Sequence, residues 1–263
     1  MGSRLNYETI AVEENGSIVK VILNRPDRRN SFNSQMISDL NSAFGKLKEA
    51  NYRCVVLTGE GKAFSAGADL DYMRSIKNAG NEANISEAML LADLLEKIYT
   101  FPAPVIARIN GPAIGGGLGL ITASDIAIAD ENAFFAFSEV RLGLAPAVIG
   151  PFVVKAIGEK NARRYMLTGD RITTEKAIGI GLIQQAVSAN ELDTIVDDIC
   201  ASILASSPYA VKRCKELIRR CGEEPLNDIK EWTAELIAEL RAGEEGQEGM
   251  NAFFEKRKAN WVL

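Results

Sequence analysis

The strand signals of this chain stop near residue 190, and that break constrains the fold more than any other feature. Before it, short apolar or β-branched runs alternate with amphipathic segments; after it, every periodic segment is helical. Residues 7–12 and 18–23 read as strands, joined by the hairpin signal Asn15-Gly16. Residues 34–50 carry Met36, Ile37, Leu40, Phe44 and Leu47 at helical spacing, and 54–58 form a buried-strand run. A helix over 84–99 follows, with Ile85, Met89, Ala92, Leu95 and Ile98 as its stripe. Strands over 105–109, 126–129, 133–137 and 183–187 are then spaced by helices from about 116, over 148–157 and over 160–167. The order β-β-α recurs without an exact sequence repeat. Residues 192–204, 209–220, 226–240 and 248–257 are helical, punctuated by Pro208, Gly222, Pro225, Gly243 and Gly246. The expectation is an α/β core over residues 1–189 and an all-helical region over 190–263. Such a tail either builds an oligomer or caps its own core.

Composition narrows the chemistry. The chain has no histidine, which excludes Ser-His-Asp and Cys-His catalysis and imidazole metal sites. Acid–base work must fall to carboxylates, lysine, tyrosine, cysteine or backbone groups. With 30 Lys+Arg against 35 Asp+Glu, the net charge of −5 weighs against a nucleic-acid partner. Cys54, Cys200, Cys214 and Cys221 show no ligand spacing and read as reduced, mostly buried thiols. No metal is expected. The opening stretch lacks an apolar leader and no run reaches the length of a membrane span, so a cytoplasmic, membrane-free protein is expected.

Two glycine-rich segments follow buried strands: GEGKAFSAGADL from Gly59 and NGPAIGGGLG from Asn110. The second opens a helix, where free N–H groups and the helix dipole suit an anion. A plain turn with tight helix packing fits the same residues. A third segment, FAFSEVRLGLAP from Phe135, places Glu139 among apolar residues, where a carboxyl should have a raised pKa. A surface Glu139 paired with Arg141 fits the local sequence equally well.

In this order, AFSAGADL, NGPAIGGGLGL, SDIAIADENAFFAFSEVRLGLAPAVIGP and YMLTGDRITTEKAIGIGLI resemble the enoyl-CoA hydratase/isomerase (crotonase) superfamily over nearly the whole chain. SEVRLGLAPAVIGPFVVKAIGEKNARRYMLTG is most similar to the branch of methylglutaconyl-CoA and isohexenylglutaconyl-CoA hydratases. The resemblance implies a spiral of β-β-α units with a helical C-terminal region. It also implies a homotrimer or homohexamer, an acyl-CoA substrate, and no cofactor beyond the coenzyme A that the substrate carries. Leucine or fatty-acid metabolism would be the setting.

Carried over residue by residue, the resemblance implies that the N–H groups of Ala68 and Gly116 hold a thioester oxygen as an enolate forms, with Glu139 as acid/base. Ala66, Asp69 and Leu70 would line the path of coenzyme A, Arg25 and Arg28 would neighbour its phosphates, and Lys256 would reach it from an adjacent subunit. One departure stands out: the family hydratases carry another glutamate three residues past the middle glycine, and here that position is Gly119. The missing side chain is expected to leave room for a branched or dicarboxylic acyl group. A single carboxylate can add water, shift a double bond, or work beside another polar group such as Tyr72 or Ser138. Hydration of a branched or dicarboxylic 2-enoyl-CoA is the leading expectation. Isomerisation, or acyl-CoA or RNA binding with little catalysis, are the alternatives.

Overall fold

In the computed structural model, residues 4–262 are described; the first three residues of the stretch read for a leader lie outside them. Asn15-Gly16 closes the hairpin as the sequence predicts, with Gly16 at φ +59°. It joins β2 (Ile10–Asn15) to β3 (Ile18–Leu23), and β1 (Arg4–Asn6) adds antiparallel to β2. Then come β4 (Cys54–Gly59), β5 (Val105–Ile109), β6 (Ala113–Ile114), β7 (Ile126–Asp130), β8 (Phe134–Ala136), β9 (Ile172–Thr173) and β10 (Gln185–Val187). The large sheet runs β1-β2-β3-β4-β5-β7-β10 and is parallel from β3 onward. Parallel neighbours need crossovers, and these carry the helices.

The helices are α1 (Ser34–Glu49), α2 (Leu70–Asn78), α3 (Asn81–Tyr99), α4 (Gly116–Ala123), α5 (Gly150–Thr168) and α6 (Thr174–Gly179). After the last strand come α7 (Leu192–Leu204), α8 (Pro208–Glu223), α9 (Leu226–Ala242) and α10 (Glu244–Phe254). A small sheet, β6-β8-β9, is prolonged by the bridges Ser65↔Ala113 and Phe32↔Ala68. Each turn of the chain therefore gives a strand to the large sheet, a shorter extended piece to the small layer, and then a helix. That is the spiral of β-β-α units.

Alternation along β4 explains the layers. Val55 and Leu57 face the main core with α1 and α3, whereas Cys54 and Val56 face Ile106, Ile128 and, on α7, Leu192, Val196 and Cys200. So α7 covers the second face of the sheet. By packing it is continuous with the core. The expected helices over 148–157 and 160–167 also have a local cause: Gly158 breaks α5 at φ +73°, ψ 158°. Helix α2 and the β6 and β9 pieces were not signalled by periodicity, being short. Of the predicted α3 stripe, Leu95 and Ile98 are buried, but Ile85 and Met89 are exposed. Cys54 and Cys200 are buried free thiols; Cys214 and Cys221 are free and exposed, contrary to the expected burial.

Candidate active site

The site is built where the first spiral turn touches the second. Phe32 donates its N–H to Gly67 O at 2.6 Å, and Asp69 donates its N–H to Phe32 O at 2.9 Å. Both bonds leave the 67–69 strand on one edge. Alternation then turns the Ala68 N–H to the other edge. Across from it, Gly115 donates its N–H to Ala136 O at 3.0 Å, and α4 begins at Gly116. The Gly116 N–H lies in the first turn of α4, where no intrahelical acceptor exists. Among the described loop and cap bonds, the N–H groups of Ala66, Gly67, Asp69, Gly115 and Leu118 are all donors, while those of Ala68 and Gly116 are not.

The glycines serve packing as well as ligand access. Gly115 sits at φ +54°, ψ −120°, a backbone that side-chain-bearing residues rarely adopt. A Cβ on Gly115 would lie 3.0 Å from Glu139 Oε1, one on Gly116 would lie 3.1 Å from the Phe32 ring, and one on Gly117 would lie 2.8 Å from Ser65 Cβ. The tight-packing reading and the anion-site reading of this run are therefore compatible.

Glu139 enters from the short 3-10 turn Ser138–Leu142, which Gly143 closes in the left-handed region at φ +75°. Its Oε2 is buried and has no hydrogen-bond partner among the described residues. Burial raises its pKa above the ordinary glutamate value, against a smaller opposing pull from its own backbone N–H. The surface pairing with Arg141 does not form: Arg141 lies 3.6 Å from Asp170 instead. Ala68, Gly116 and Glu139 share one cavity of about 310 Å³, walled by apolar residues such as Met73, Leu144 and Ile149. No Lys or Arg is among its described lining residues. Tyr72 lines it too; burial and the facing Glu87 carboxylate push its hydroxyl up to about 12. Two N–H groups outside the described loop and cap bonds, beside a carboxyl oxygen without a partner in an apolar-walled cavity, can stabilise a developing oxyanion while a proton moves.

The other expected residues divide. Ala66 lines the cavity. Asp69 instead caps α2, accepting the Tyr72 N–H at 2.7 Å, and its carboxylate lies 2.8 Å from Arg25. Burial pushes Asp69 up, but the Tyr72 N–H and the Arg25 and Arg28 charges outweigh it and hold its pKa below the ordinary value. Arg25 also donates to Ser31 O at 2.6 Å, and its side chain is only 18% exposed. Arg28, 3.9 Å from Asp71, and Leu70 are exposed. Lys256 is exposed beyond α10 and is not among the cavity residues of its own chain.

Gly119 requires a correction. The room expected there is filled: a Cβ on Gly119 would lie 2.5 Å from Ile149 Cγ2 and 3.2 Å from Leu95 Cδ1. Gly119 itself is not a lining residue; Ile149 stands between it and the cavity. Sequence reasoning missed Ile149, since no local pattern links residues thirty positions apart. It also passed over Gly115, whose place at the head of a glycine run after a strand was a usable signal.

The model of the enoyl-CoA hydratase/isomerase family matches residues 13–262. A short-chain-enoyl-CoA hydratase of Clostridium acetobutylicum is 31% identical over 260 residues, covering 97% of each chain. The crystal structure of an enoyl-CoA hydratase from Shewanella pealeana superposes with a TM-score of 0.93 at 39% identity, over 97% of each chain. Pseudomonas aeruginosa AtuE superposes with a TM-score of 0.94 at 32% identity, over 97% of this chain and all (100%) of that one. Residues that fold into a β-β-α spiral and bring two free N–H groups beside a buried carboxyl thus sit in a chain that matches known acyl-CoA enzymes end to end: the protein belongs to the enoyl-CoA hydratase/isomerase family, the crotonase superfamily.

Proposed function

We propose that this enzyme adds water to a 2-enoyl-CoA, or removes it, with Glu139 as its single carboxyl acid/base. The observation that carries this reading is the partnerless, buried Glu139 Oε2 in the cavity shared with Ala68 and Gly116. The thioester oxygen accepts from the Ala68 and Gly116 N–H groups as negative charge moves onto it. Glu139 in its ionised form takes a proton from water as the oxygen attacks C3. The proton then passes to C2 of the enolate from the same face, which regenerates the carboxylate. Because the oxygen donors are backbone groups, thioester binding is separable from proton transfer. Coenzyme A belongs to the substrate, and no metal or redox cofactor enters these steps.

A second reading, double-bond isomerisation, draws on a specific observation: Glu139 is the only carboxyl among the described lining residues. One carboxylate suffices to carry a proton between C2 and C4. Incubation with a panel of enoyl-CoA thioesters, followed by mass spectrometry, separates the two. A gain of water supports hydration, and a shifted double bond at constant mass supports isomerisation. Binding without turnover would contradict both. An assembly of three or six chains, with the exposed Phe253 and Phe254 covered by a neighbouring copy, is part of the same proposal. Light scattering tests it, and a fully active monomer would overturn it.

A further inference from the structure

The wall of the cavity beside α4 has an unusual construction. Gly119 lies on α4 one turn beyond Gly116 and is fully enclosed. The space where its side chain would begin is occupied by Ile149, which caps α5 from a distant part of the chain. Ile149 is 3% exposed, yet it lines the cavity. Its Cγ2 reaches over the glycine, and Leu95 closes the gap from behind at 3.2 Å from the same point. Wall and glycine are thus keyed together: the glycine has no side chain because the isoleucine uses its room, and the isoleucine can sit this deep only over a glycine.

We infer that Ile149, keyed over Gly119, is a specificity-determining residue that holds the cavity to straight, uncharged hydrocarbon acyl chains. The inference rests on the enoyl-CoA reading of the site. Two physical arguments support it. A methyl branch near C3 needs lateral space, and the keyed wall leaves none on this side; interiors packed to this density do not yield room without cost. A carboxylate at the far end of the acyl chain would lie along the half-buried apolar side chains of Met73, Ile76 and Leu91, with no cation among the described lining residues to meet it and with the Glu139 carboxyl in the same cavity. This reverses the expectation of a branched or dicarboxylic substrate, which rested on an empty space at Gly119.

The test is calorimetric binding of three saturated thioesters to the full-length protein: butanoyl-CoA, 3-methylbutanoyl-CoA and 3-methylglutaryl-CoA. They share coenzyme A and differ only in the acyl chain. The expected order is butanoyl-CoA tightest and 3-methylglutaryl-CoA weakest, with roughly tenfold or more between the ends. Ile149→Ala should erase most of the gap between the straight and the methyl-branched chains, and Ile149→Val, which keeps a Cγ2 over Gly119, should preserve it. Should Ile149→Ala not fold, the wild-type order and the valine variant still decide. Equal or tighter binding of 3-methylglutaryl-CoA by the wild type would overturn the inference, as would a folded Ile149→Ala with an unchanged order. Binding in the expected order without turnover of any enoyl-CoA would overturn the hydration reading and leave the wall standing. No binding of any thioester would overturn both.

Discussion

Glutamates in the cavity and in the C-terminal helices face opposite electrostatic fates. In the tail, Glu223 is held below its ordinary pKa by Lys155 and Arg219, and Glu224 by Arg220. Glu248 is held down to about 2 by Arg257 and the Asn260 N–H. Each has a cation within salt-bridge distance. Glu139 has none, and burial moves it the other way. The contrast separates carboxylates with cationic partners from a buried carboxyl without one, the environment expected of a group that moves protons. These three tail carboxylates are held by partners, while Glu139 Oε2 has none among the described residues.

The sharpest break in that contrast is Glu139→Gln. Loss of one general acid–base group is expected to lower turnover by about 10²- to 10⁴-fold, with thioester affinity little changed. Stability should not fall with it. A carboxyl whose folded pKa lies above its unfolded value favours the fold below the unfolded pKa and loses that contribution as pH rises through the folded value. Above its folded pKa the ionised Glu139 is therefore a burden on the fold, and there a thermal melt of the variant should match or exceed the wild type. For Glu223 the sign is opposite: its contribution is present above the unfolded pKa and is lost as pH falls through the folded one.

Lys215→Met is expected to give the next largest effect, on stability instead of rate. Lys215 of α8 pairs with Asp125 at 2.7 Å; the lysine side chain is largely enclosed, while that of Asp125 keeps 28% of its surface exposed. Burial raises Asp125 and lowers Lys215, each partly restored by the other. Removing the ammonium leaves the Asp125 carboxylate with the Val105 N–H and solvent, at a cost of about 2 kcal/mol in denaturant unfolding. Turnover per folded molecule should be unchanged.

Gly119→Ala sharpens the cavity side. Helix propensity alone would reward alanine by roughly 0.5–1 kcal/mol. The collision with Ile149 should reverse the sign and destabilise by about 1–3 kcal/mol, readable as a lower midpoint in urea. A gain in stability would show that the wall yields. The smallest effect belongs to Glu248→Gln, which should leave turnover unaltered and shift the melting temperature little, since exposed ion pairs contribute weakly.

Much of this was legible in the sequence, and the limits were physical. The Asn15-Gly16 hairpin, the helix at Ser34 and the buried strand at Cys54 announce themselves because their signals are local. Ala68, Gly116 and Glu139 stood in recognisable segments, and the fold brings them to one cavity. Arg25 and Asp69, read as ligand contacts, also pair with each other, a contact that no spacing between residues 25 and 69 reveals. Gly119 misled for the same reason. The absence of a side chain is visible in a sequence, but the side chain that fills the gap comes from Ile149 on another helix.

In the proposed mechanism Glu139, beside the Ala68 and Gly116 N–H groups, moves the proton at C2 of the acyl chain. Its most direct test is solvent exchange: incubate an acyl-CoA with the enzyme in D₂O and follow deuterium at C2 by mass spectrometry. The wild type is expected to incorporate deuterium at C2, and Glu139→Gln to bind the thioester with incorporation slowed at least about 10²-fold. Incorporation at C2 that continues at the wild-type rate in Glu139→Gln would contradict it.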